Sequence, residues 1–219
     1  PLAMASIQRE IQHMLLIVQE MMLPVMQLFE EYDKKQSKKI LKNNQRLNDA
    51  FDGIREYSSD LSKEITSRSR SRQLRNLIEF AIAIEAAGNI VAKNLLPLAL
   101  DRQKEGIHFS AEGLAELESM HDQIIANISL ASNVLISSDV DIARQLVEEK
   151  SKLSRHQRKS RKKHLKRLAA GLTESFETSD LHLETSLAFK EFNSQIATIA
   201  YPILSREGKL LHSRLVNKD

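Results

Sequence analysis

Apolar residues near the start of the chain fall at Ile7, Ile11, Met14, Val18, Met21, Val25, Leu28 and Tyr32, an unbroken alternation of four- and three-residue steps. That spacing puts all of them on one side of an α-helix, and Leu15, Met22 and Phe29 widen the stripe. Pro24 inside the stripe predicts a kink, because its ring displaces the carbonyl one turn earlier. The residues from Lys34 to Ser37 read as a polar break. A second helix is predicted from Lys38 to Thr66, with Ile40, Leu47, Phe51, Ile54, Leu61 and Ile65 inward, and the Ser- and Arg-rich stretch from Ser67 to Arg72 reads as a polar link. The third helix, from Gln73 to Gln103, is apolar around most of its circumference, as in a helix enclosed by others, and Gly106 ends it.

The pattern then repeats. Ser110 stands in N-cap position with Glu112 in the first turn, and Leu114, Leu117, His121, Ile124, Ile128, Ala131 and Leu135 again step by threes and fours. Ser138 or Asp139 caps a fifth helix reaching Gly171, a sixth runs from Glu177 to Ser205, and Gly208 begins a tail. The third and sixth helices align at an offset of 105, which pairs Glu79 with Glu184, Ala83 with Ala188, Ala92 with Ala197 and Pro97 with Pro202. Three helices followed by three of matching length point to an internal duplication, one half at 1–106 and the other at 107–219. The expected fold is all-α: two tandem three-helix bundles, elongated, with up-down-up topology.

Composition supports this reading. Gly (6) and Pro (4) are scarce among 219 residues, where average usage would give about 26 together. Few turns mean long helices, which excludes all-β and alternating β/α folds. The absence of Cys removes disulfide frameworks, thiolate zinc sites and cysteine catalysis, and fits a reducing compartment. No window reads as a membrane span: the most apolar stretch, Leu74 to Leu100, is interrupted by Arg75, Glu79, Glu85, Lys93 and Asn94. The N-terminus does not read as a signal peptide. The chain begins at Pro1 rather than Met, as expected of a fragment or a processed product.

Charge is unevenly placed. The formal net charge of +3 conceals eight Lys/Arg and no acid between Arg155 and Arg167, while the rest of the chain holds 24 basic against 29 acidic residues, a net of −5. The eight are Arg155, Arg158, Lys159, Arg161, Lys162, Lys163, Lys166 and Arg167. They cover about two-thirds of the helix circumference, and the remaining sector holds Gln157, Ser160 and His164. This segment therefore has little to bury and is expected to run along or beyond the bundle surface. It is either a solvated face or a contact for anionic headgroups or partner loops. Nucleic acid is not expected, because the run has no aromatic residue on which a base could stack.

Seven histidines are scattered, and none sits in a HExxH pattern. His121, on an apolar stripe, reads as a hydrogen-bonded core residue, and the Met14, Met21, Met22 and Met26 cluster reads as core packing. No nucleophile–base arrangement is visible, so an enzyme is not expected.

The run from His164 to Leu204, and within it NSQIATIAYPIL with the GKLLHSRL that follows, resembles the PhoU-like C-terminal cytoplasmic region of bacterial sodium/phosphate cotransporter family proteins. IEAAGNIVAKNLL (Ile84 to Leu96) is similar to that family's E-x-x-G-D-x-x-x-K-N-L pattern, and ASIQREIQHM (Ala5 to Met14) resembles the helix leaving its last membrane span. The resemblance implies tandem PhoU-like bundles and a regulatory role in phosphate transport. It also implies a transporter membrane domain upstream in the same full-length chain, at the cytoplasmic face of the bacterial inner membrane. A free-standing PhoU-type regulator of a separate transporter or sensor kinase is the alternative, and a metal- or nucleic-acid-binding helical protein is a third.

PhoU-like proteins often carry an acidic pair one turn apart in the third and sixth helices, and some bind metal there. Here the first pair maps to Glu85 and Asn89, and the second to Lys190 and Ser194, so three of four acids are replaced. The family's Arg-Asp step in the sixth helix is Leu187 and Ala188. Glu85 and Asn89 share a helix face, and Asp49 and Asp52 on the second helix could meet them with oxygen ligands for Mg²⁺ or Ca²⁺. No cofactor is expected; a divalent cation at these four residues is the alternative. Apolar helix faces leave a homodimer open.

Overall fold

The computed structural model describes residues 2–171 and 176–208. Lys209 to Leu215 of the GKLLHSRL segment and His212 lie outside the described residues.

Among the described residues, six helical rods form in the predicted order. The first is α1 (Leu2–Met22) followed by α2 (Val25–Glu30), divided at Leu23 and Pro24 where the kink is expected. The second is α3 (Lys34–Glu64). The third consists of α4 (Arg68–Ile90), a wider π-turn segment at Val91–Leu95, and α5 (Leu96–Glu105). The fourth and fifth are α6 (Ala111–Ser137) and α7 (Val140–Ala169). The sixth is α8 (Phe176–Ile196), a tight 3-10 turn at Ala197–Ile199, and α9 (Ala200–Arg206).

Helix starts follow from capping. The Asp33 carboxylate accepts the Lys35 amide at 2.8 Å and starts α3, so the polar break predicted at Lys34 to Ser37 is already helical. Ser37 is buried there and bonds the Tyr32 hydroxyl at 2.7 Å. The second link is likewise shorter than the Ser67 to Arg72 expected, because α4 begins at Arg68. Ser110 caps Gly113 at 3.1 Å, and Asp139, not Ser138, caps α7 at Asp141 and Ile142. Ser138 instead takes the left-handed position that ends α6, and Gly106 does so for α5.

The third and sixth rods break at matching places. A proline ring crowds the carbonyl four residues before it; for Pro97 that residue is Lys93, inside the π segment, and for Pro202 it is Thr198, inside the 3-10 turn. The backbone widens in one half and tightens in the other at positions 105 apart.

α1, α3 and α4 pack on one another as the first bundle, and α6, α7 and α8 as the second. The bundles lie side by side, α4 along α8 and α1 along α6, and share one continuous core. Met14, Met21, Met22 and Met26 are buried in it, as expected. His121 also behaves as read: it is buried, with Nε2 2.8 Å from the Met22 carbonyl, which ties α6 to the end of α1. By length and composition the Arg68–Glu105 rod alone, among the described residues, would be apolar enough to cross a membrane. Half of its most apolar window is enclosed here, less than the enclosure by other helices expected from its sequence.

Candidate functional site

The second half of α7 carries two contrasting faces. Leu153, Gln157, Ser160 and His164 step by four, three and four, and all are buried, the polar three at 5 % exposure each. The expectation that this segment has little to bury is corrected here. It buries polar groups: Ser160 bonds Glu116 on α6, and His164 lies near Asp180 on α8. Arg155, Lys159, Lys162 and Lys166 make the same steps on the opposite, solvent-facing side.

The inward seam ends in a cavity of about 60 Å³ between the start of α6, the C-terminal half of α7 and the start of α8. Its chemistry centres on Glu116, whose Oε2 accepts the Ser160 hydroxyl at 2.7 Å and lies 3.4 Å from His182 Nε2. His164 Nε2 is 3.9 Å from the Asp180 carboxylate. Neither imidazole Nε2 makes a hydrogen bond among the described residues, although both are shielded from solvent. Gly113 admits the His182 ring, since a Cβ there would stand 3.1 Å from its Cδ2. Phe109 meets the same ring nearly edge-on, with centroids 6.4 Å apart.

Burial pushes both imidazoles below their ordinary 6.5, opposed by Asp180 for His164 and by Glu116 for His182. For Glu116, burial works to raise its pKa, but the Ser160 hydrogen bond and the nearby His182 and Lys163 outweigh it, and the carboxyl is held below its ordinary 4.5. Above pH 6.5 the site therefore presents two neutral imidazoles beside an ionised carboxylate. Its volume suits one or two waters bridging the unpaired nitrogens, far short of the several hundred Å³ of a usual metabolite pocket, about 300 or more.

At the rim, Lys163 lies 3.2 Å from Glu112 and 3.6 Å from Glu116, and Arg167 lies 3.6 Å from Glu112. The hydrogen bond to Glu112 raises the Lys163 pKa. Two of the eight cations of the basic run are thus engaged. The other six, Arg155, Arg158, Lys159, Arg161, Lys162 and Lys166, are exposed and form no ion pair among the described residues.

The four candidate metal ligands are dispersed in their bonding. Asp49 accepts from Gln45 at 2.9 Å, Asp52 pairs with Arg55 at 3.0 Å, and Asn89 accepts from Asn44 at 3.1 Å. Burial, and then the neighbouring Asp52 charge, raise the Glu85 pKa. Among the described residues no three His, Asp or Glu side chains converge as a metal site.

The Glu116 cavity was not visible in the sequence pattern. The one available signal was that Gln157, Ser160 and His164 continue the sector of Leu153, so a polar stripe stood in core register and needed partners. His182 meets its partner Glu116 on another helix, so no local spacing could disclose the pair.

Residues 11–94 match the PhoU domain family. The chain is 30 % identical over 174 residues to a protein of Salmonella typhimurium named "Putative inorganic phosphate export protein YjbB", and 29 % identical to its Escherichia coli K12 counterpart. The match takes in 80 % of this chain and 32 % of either relative, so it spans about a third of their length. Two crystal structures share the fold. PhoU from Pseudomonas aeruginosa superposes with a TM-score of 0.83 at 12 % identity, over 94 % of this chain and 98 % of that one. The phosphate transport system regulatory protein PhoU from Streptococcus pneumoniae gives 0.79 at 13 %, over 97 % and 98 %. Residues 11–94 are thus similar to the PhoU domain, and the two three-helix bundles sharing one core have the fold of the PhoU crystal structures.

Proposed function

We propose that the chain is a non-catalytic regulatory module of phosphate transport. The observation that carries this reading is its similarity over 174 residues to proteins named for inorganic phosphate export, on a fold shared with PhoU regulators. In the finer form of the proposal, the module belongs to a longer transporter and packs against the cytoplasmic side of its membrane domain. The 32 % coverage of the relatives supports this form, because most of their length is then available for other domains. The residue-level resemblance adds sodium coupling. The module would act by bias: contacts that differ between two transporter states shift the balance between them.

A free-standing regulator is the second reading. It is favoured by the coverage of 98 % of each PhoU crystal chain, since a module of this length can account for a whole regulator of that kind.

One experiment tests both. Cells whose coding region for this module is deleted are measured for phosphate content at low and high external phosphate. The regulatory reading expects a changed response. Restoration by the chain supplied as a separate polypeptide supports the free-standing form, and restoration only when it is joined to the rest of the protein supports the transporter-attached form. A response unaltered by the deletion removes both.

A further inference from the structure

We propose that the outer face of α7 between Arg155 and Lys166 docks on an anionic phospholipid surface. The inference rests on the placement of charge and is independent of the phosphate reading.

Arg155, Lys159, Lys162 and Lys166 recur at four-, three- and four-residue steps, directly opposite the buried Leu153, Gln157, Ser160 and His164. They form a straight strip of about 16 Å along the helix. Arg158 and Arg161 flank it on one side, and no acid interrupts it. The bundle neutralises only the edge nearest the cavity, where Glu112 and Glu116 engage Lys163 and Arg167. An evolutionary accident of composition would scatter such charges or pair them; here the unpaired ones share one side.

The shape of the patch selects the occupant. The cations stand on a convex helix, not in a groove that could follow a single strand, and no aromatic side chain lies among them for a base to stack on. Leu165, 51 % exposed, projects from the same flank as Arg158 and Arg161 and can sink into a headgroup layer beneath the lysines. Charge complementarity is directional as well. The chain outside the run has a net charge of −5, and the next acid-free basic stretch, Lys34 to Arg46, holds six Lys/Arg against eight here, so an anionic surface attracts this face most strongly. Each cation near an anionic leaflet strengthens partition by about fivefold, and the effect weakens as salt shortens the screening length.

The test is co-sedimentation of the 219-residue chain with vesicles of phosphatidylcholine alone or with phosphatidylglycerol added. The proposal expects binding to the anionic vesicles that is about tenfold or more above the neutral ones and falls with salt. The R155Q/K159Q/K162Q/K166Q variant should lose about tenfold or more of that binding, with melting unchanged, since these exposed side chains form no ion pair among the described residues. The K34Q/K35Q/K38Q/K39Q variant makes the same change of charge on α3 and should bind as the parent does. Equal binding to both kinds of vesicle, or an equal loss in both variants, overturns the proposal. So does failure to bind phosphatidylglycerol while single-stranded RNA binds, which would assign the face to nucleic acid.

Discussion

Two histidines and one glutamate make the second bundle sensitive to acid. His164 and His182 titrate below their ordinary 6.5 when folded, so as pH falls through that value the unfolded chain takes up protons that the folded chain resists, and stability is lost. Glu116, held below 4.5, contributes stability above that value and loses it as the folded carboxyl is protonated at still lower pH. Both effects have the same sign. The melting temperature is expected to fall as pH passes from above to below 6.5, and His182→Gln should flatten the slope; a parent curve that is level through this interval contradicts the assignment. His121 gives a second prediction. His121→Leu leaves the Met22 carbonyl without its partner and should cost about 1–3 kcal/mol in chemical denaturation. At this scale the sequence disclosed only what its own stripe could disclose. His121 stood among apolar neighbours and read correctly as core, while the His164 and His182 surroundings depend on α6 and α8 meeting α7 in space.

Helix order and core stripes were legible because each rod repeats its pattern over many turns, whereas the links rest on single caps. Asp33 therefore moved the α3 start forward, into a stretch whose polarity resembled a break, and α4 starts at Arg68 with no side-chain cap from Ser67. Pro97 and Pro202 marked equivalent irregularities, but whether the backbone would widen or tighten depended on neighbouring packing. Two glycines test how closely the rods approach. A Cβ on Gly88 would run into the Leu47 side chain, which is completely buried. Gly88→Ala is expected to cost about 1–3 kcal/mol through overpacking, more than its gain in helix propensity of about 1 kcal/mol. Gly53 has nothing within 4 Å of the same position, so Gly53→Ala should stabilise, by about 0.5–1 kcal/mol. Urea titrations that shift both variants in one direction would contradict this view of the α3–α4 contact.

For the whole molecule, the near-neutral total of +3 resolves into a helical body of net −5 and one segment of α7 that carries +8. That segment is supported from within by a polar seam, which explains how a helix so charged can still be fixed to the core. The central claim is that a molecule of this form regulates phosphate movement, and the most direct measurement is the rate of radiolabelled phosphate flux in cells at low and high external phosphate, with and without this module. Removal of the module is expected to change how flux depends on external phosphate. Identical flux curves with and without it would contradict a regulatory role.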